Sequence, residues 1–137
     1  MKQLSEFEIN IKIKLSALWA SVMSLYIYCD YFQLYAPGKL EDMINGVTKF
    51  GAGDQSVLLG LSSILLVTSL MICLSVLLPA TINRILNIVV GLIMTLFLGV
   101  LAYKVGWYFY KMYAIVEAIL TFYIAWLAWN WPKESNA

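Results

Sequence analysis

Two carboxylates, Asp30 and Glu117, stand inside stretches that are otherwise apolar, and they are the side chains of this sequence best placed to do chemistry. Asp30 belongs to YIYCDYFQLY, residues 26–35, with Tyr26 four positions before it and Gln33 three after it. Glu117 has Tyr113 four positions before it and Thr121 four after it. On helices these spacings put each acid on one face with hydrogen-bonding neighbours. A carboxylate turned to lipid costs at least about 2.5 to 3.5 kcal/mol even on a lenient insertion scale, so such faces should point inward. Two acids in one poorly hydrated layer do not both ionise easily, and one then shares or retains a proton. The chemistry this pattern allows is a proton-binding site, or a site for a cationic or hydrogen-bond-donating ligand.

The elements that must hold these acids are written in the hydropathy. Of 137 residues, 62% are hydrophobic and 12% charged, with a mean hydropathy of +0.81. A soluble domain carries about 25% charged residues, so this composition belongs to the membrane class. A hydrocarbon core about 30 Å thick needs roughly 20 apolar residues of helix. Four runs have that length, over about 14–35, 56–78, 82–103 and 110–131, with Pro79, Gly106 and Pro132 at or beyond their ends. The first run continues past Cys29 and Asp30 without a small-residue cleavage site, and Glu6 and Glu8 precede it, so it reads as a retained helix and not a leader.

The expected fold is therefore all-α: an integral membrane four-helix bundle forming one domain over 1–137. Between the first two spans, Leu40, Met43, Ile44 and Val47 recur at helical spacing, which predicts a short amphipathic helix over about 38–47 in the interface. Gly51–Gly53 should then give a flexible re-entry. Ahead of the first span, Phe7, Ile9, Ile11, Ile13 and Leu15 alternate with polar residues, which reads as an interfacial arm or a frayed extension of that helix. Four spans put both termini on one side. That side carries Lys2, Lys12, Lys14, Arg84 and Lys133, the other Lys39, Lys49, Lys104 and Lys111, so the positive-inside rule favours cytoplasmic termini.

Threaded in this way, Asp30 lies roughly 7 to 8 Å in from the outer boundary and Glu117 roughly 10 Å. Ser62, Ser63, Thr95 and Gly99 fall in the same layer. The plainer alternative is that Asp30 caps the outer loop while Glu117 pairs with Lys104 or Lys111 snorkelling from the boundary. At the inner end, Thr81, Asn83, Arg84, Asn87 and Asn130 read as helix capping and headgroup contact, with Arg84 on lipid phosphate, or else as an inner gate. Gly91, Thr95 and Gly99 make a small-residue ridge for close helix packing, against the second span or a neighbouring protomer. The five tryptophans, Trp19 among them, read as an aromatic belt, and Cys29 and Cys73 as buried, inert, unpaired thiols.

The segments KLSALW (14–19), the acid followed by an aromatic at Asp30, APGKLEDMING (36–46), NRILNIVVG (83–91) and the closing VEAI…WLAWNWP resemble a family of small bacterial four-helix membrane proteins without assigned biochemistry. The resemblance runs from about Lys12 to Pro132. It implies the four-span fold and a multi-pass protein of the bacterial inner membrane, and it brings no catalytic residue set. The architecture is also distantly similar to the DoxX-like group, some of whose members work beside redox partners, although this chain lacks a cysteine pair for such a role.

The absence of histidine removes imidazole metal sites, Ser-His-Asp triads and the usual haem ligation, so no metal or cofactor is expected. The singly scattered basic residues give no nucleic-acid face. The function these residues favour is binding, and proton-coupled transport, of a small amphipathic or cationic ligand. Its site would comprise Asp30, Glu117, Tyr26, Gln33, Tyr113, Thr121, Ser62, Ser63 and Thr95. The alternatives are an accessory subunit of a larger membrane assembly or homo-oligomer, and an intramembrane acid–base isomerase acting on a lipid-like substrate. The non-enzymatic readings are preferred, because no residue identifies a substrate.

Overall fold

A computed structural model describes residues 7–48 and 51–133. Lys2, Glu6 and Lys49, which enter the charge and leader arguments above, lie outside the described residues. Three long apolar runs form α3 (Gln55–Leu77), α4 (Ala80–Lys104) and α5 (Tyr108–Trp129), each long and apolar enough to cross a membrane. The chain is thus a mostly helical membrane protein. The first run forms α1 (Ile11–Gln33), which starts earlier than its hydropathy indicates because Asn10 caps it, its side chain accepting from the Lys12 backbone N–H at 2.9 Å. The alternation through Ile11, Ile13 and Leu15 is therefore the opening of a helix. Asp54 does the same for α3, accepting from the Val57 N–H at 2.8 Å.

Around the bundle the order is α3, α1, α5, α4. The α4–α5 contact is the most extensive, and α1 lies against both α3 and α5. By contrast α3 and α4 touch sparsely, although only Leu78 and Pro79, both extended, separate them in sequence. The two helices form a V with its apex at Pro79. Along α3 the fully buried residues are Thr68, Met71 and Ser75, all in the half nearest the apex.

Near the apex the bundle is closed by a core of Leu15, Trp19, Val22, Met71, Met94 and Ile124 and by buried hydrogen bonds. Trp19 Nε1 donates to Asn87 Oδ1 at 2.7 Å, Asn87 Nδ2 donates to Asn83 Oδ1 at 2.7 Å, and Asn83 Nδ2 donates to the Ser75 carbonyl. Ser16 on α1 reaches the Ile72 carbonyl at 2.7 Å, and Lys12 Nζ reaches that of Leu78 at the same distance. Asn83 and Asn87 are wholly buried, so they clamp helices together and do not contact headgroups. Arg84 donates to the carbonyls of Ala128 and Trp129, closing the end of α5. Trp19 is likewise a core residue and not part of a belt, and Cys73 is exposed, not buried.

The small-residue ridge meets α5, not α3. A Cβ on Gly91 would lie 3.0 Å from the Thr121 carbonyl oxygen and 3.1 Å from Ala125 Cβ, whereas one on Gly99 would meet nothing within 4 Å. Thr95 extends the α4–α5 seam through a 3.0 Å hydroxyl contact with Thr121.

The segment between α1 and α3 departs from the all-α expectation. The short helix α2 covers Lys39–Ile44 and stops before Val47, which instead enters β1 (Val47–Thr48), paired antiparallel with β2 (Gly51–Ala52). Gly46 turns the chain at φ 67°, and the Gly53 N–H donates to its carbonyl at 2.6 Å. The re-entry expected to be loose is thus a hydrogen-bonded ribbon.

Candidate functional site

Because α3 and α4 diverge from Pro79, the opposite end of the bundle holds a cavity of about 470 Å³. The inner face of α1 contributes Tyr26, Cys29, Asp30 and Gln33, and α5 contributes Tyr110 and Glu117. Leu58, Leu61, Ile64 and Leu65 of α3 face Phe97, Leu98 and Leu101 of α4, forming an apolar wall. Lys39, Met43, Gly46, Val47, Thr48 and Gly53 reach in from the α2–ribbon segment. A polar end on α1 and α5 thus confronts an apolar cleft between α3 and α4.

Glu117 dominates the polar end. It is 3% exposed, and its Oε1 is buried without a hydrogen-bond partner among the described residues. The hydroxyl of Tyr26, which lines the same cavity, is also buried and without a partner. Buried polar atoms are paired in the great majority of cases, so two orphans in one cavity require an explanation. Asp30 lines the same cavity as Glu117. It is itself exposed, and accepts from Gln33 Nε2 at 2.7 Å, with Gln33 buried. Among the described residues the ion pair within 4 Å is Lys39–Asp42 at 3.4 Å, so neither Lys104 nor Lys111 reaches Glu117.

A second recess of about 390 Å³ adjoins the first, sharing Gln33, Lys39, Leu101 and Tyr110 and adding Lys104, Trp107 and Phe109.

The structure brings together Asp30, Glu117, Tyr26 and Gln33 from the sequence-derived set and separates the others. Ser62 and Ser63 are exposed on the outside of α3, each bonding the carbonyl four residues earlier at 2.7 Å. Neither serine is among the residues lining the cavity. Thr95 and Thr121 are spent on the α4–α5 seam, where Thr121 also bonds the Glu117 carbonyl at 3.0 Å. Tyr113 is half-buried and does not line the cavity. Tyr110, missing from the expected set, does line it. A seven-residue spacing strays roughly 20° from two full turns, so it aligns Tyr110 with Glu117 better than the four-residue offset aligns Tyr113. Cys29 and Lys39 were also passed over; a thiol beside an acid and a lysine in a loop give no sequence signal of their own.

No curated protein and no solved structure matches the chain, DoxX-like proteins included. A family model matches residues 1–137, end to end. The chain belongs to the family of unknown function DUF6326.

Proposed function

We propose that this chain binds, and carries with proton coupling, a small amphipathic or cationic ligand at the cavity of Glu117 and Asp30. One observation carries the reading: a carboxylate oxygen is buried in a cavity of about 470 Å³ with no hydrogen-bond partner among the described residues. Leaving a buried acceptor unsatisfied costs about 1 to 3 kcal/mol, and more for a charged group. A bound proton removes that cost, and so does a donor on a ligand. Two occupants competing for one acceptor are linked, and linkage of that kind is what couples a ligand to a proton.

On this reading α1 is a fourth span beside α3, α4 and α5. Its 23 residues reach roughly 34 Å, enough for a hydrocarbon core of about 30 Å. Its polar residues lower its hydropathy, and Gln33, Asp30 and Tyr26 among them turn toward the cavity. Lys12 and Lys14 in the first turn of α1, with Lys2 earlier in the sequence, favour cytoplasmic termini in a bacterial inner membrane, which would set the cavity in the extracytoplasmic half. There α2, with Leu40, Met43 and Ile44 exposed, lies in the headgroup region over the cavity mouth.

The reading is tested with dansylcadaverine, a fluorescent amphipathic amine, titrated against the protein in phosphatidylcholine nanodiscs. Glu117→Gln keeps the shape and removes the charge. It should weaken binding at least about tenfold, with the melting temperature little changed, because a neutral amide replaces a protonated carboxyl of the same shape. Unchanged affinity, together with a larger membrane protein retained through purification, would favour an accessory subunit.

A further inference from the structure

The cavity holds more than an acid, and its remaining features narrow the ligand. Resting on the reading above, we infer that the ligand is a single-tailed primary amine, whose ammonium N–H groups bridge Glu117 and Tyr26 and whose tail enters sideways between α3 and α4.

The head group follows from the two orphans. Glu117 Oε1 can only accept in its ionised form, and the Tyr26 hydroxyl can accept through its lone pairs. A primary ammonium offers three donors from one small centre and satisfies both atoms at once. A quaternary ammonium offers charge but no donor, and would leave both atoms as they are. An alcohol offers one donor and no charge. Asp30, a second carboxylate on the cavity lining, adds further negative potential for a cation. Tyr26, Tyr110 and Phe97 supply aromatic faces around the same volume.

The tail and its route follow from the V. Leu61 and Ile64 on α3 face Leu98 and Leu101 on α4 across the cavity, in the half where α3 buries no residue fully. The helices touch sparsely, so the flank between them, lined by the apolar wall, is the least sealed side of the bundle. On the other flanks α1 closes against α3 and α5, and α5 against α4. A tail arriving from the surrounding bilayer therefore has an apolar path, and the head meets the polar end only after the tail is seated. A volume of about 470 Å³ lies within the span of small-ligand sites, roughly 300 to 1,000 Å³.

The test compares n-octylamine, n-octyltrimethylammonium and n-octanol by calorimetric titration into nanodiscs holding the full chain, with empty nanodiscs subtracted. The amine should bind at least about tenfold tighter than either analogue, the value of one good charge-assisted hydrogen bond. Glu117→Gln should erase that preference, and Tyr26→Phe should reduce it. Leu61→Trp should slow association of the amine without changing the helix content seen by circular dichroism. If the trimethyl compound binds as well as the amine, and Glu117→Gln weakens both, a cation site stands but the N–H-reading head group is overturned. If octanol binds as well as the amine, the ammonium assignment fails and a neutral amphipath remains. If none of the three binds above empty nanodiscs, and dansylcadaverine fails as well, this inference and the function it rests on fall together. An unchanged association rate in Leu61→Trp overturns the lateral route alone.

Discussion

The indole N–H of Trp19 donates to the side-chain oxygen of Asn87 at 2.7 Å, joining α1 to α4 in a bundle where those helices are not neighbours around the ring. The bond crosses the core and ends on an amide that also receives the Ser75 hydroxyl at 3.3 Å and donates to Asn83. Three helices are thereby pinned near Pro79, which leaves their far ends free to diverge. The closed end and the cavity are two consequences of one arrangement.

Replacing Asn87 by Leu is therefore expected to destabilise the protein by about 1 to 3 kcal/mol, since it strands the indole donor of Trp19 and the Asn83 oxygen in a dry core. Trp19→Phe should cost less in hydrogen bonding, because Asn87 keeps the Ser75 contact, yet more in packing. Thermal unfolding in detergent, with both single variants and the double variant, measures the coupling. Additive effects would contradict a shared network.

The Gly91 and Gly99 pair supplies an internal control on helix packing. Gly91→Ala must push α4 off Thr121 and Ala125 and should cost about 1 to 3 kcal/mol, while Gly99→Ala, opening on free space, should be neutral or slightly stabilising. Equal melting temperatures for the two variants would contradict the close approach of α4 and α5.

The ribbon beneath α2 depends on Gly53, where an added Cβ would lie 2.9 Å from the Gly46 carbonyl oxygen. Gly53→Ala should open the ribbon and uncover the cavity mouth while leaving α3, α4 and α5 intact. Hydrogen exchange read by mass spectrometry is expected to show faster exchange in residues 46–53 and no change in the helices. Protection equal to that of the unaltered protein would mean that the ribbon tolerates the side chain.

Much of this architecture is legible in the sequence, because lipid demands long apolar helices and hydropathy reports them directly. The ends of α3, α4 and α5 fall close to the ends of their runs for that reason. The company of the two acids was legible too: Asp30 and Glu117 do line one cavity. Direction was not. Ser62, Ser63, Thr95 and Thr121 were expected at suitable depths, but whether a hydroxyl faces outward, a seam or a void depends on which helices pack together. Adjacency in sequence misleads here, since α4 turns its glycine to α5 and splays from α3. The ribbon was invisible because strands of two residues carry no alternation to read. Asn83, Asn87 and Trp19 sit near span ends, where capping and belts are the ordinary explanation, and only packing reveals them as a buried clamp.

The central claim is that Glu117 exchanges a proton for a ligand in the cavity where its Oε1 has no partner among the described residues. Proton release on adding dansylcadaverine to the protein in weakly buffered nanodiscs, followed with a pH dye, tests this most directly. The account predicts release of about one proton per ligand bound, and none from Glu117→Gln. Saturable binding without proton release, unaltered by that substitution, would contradict it.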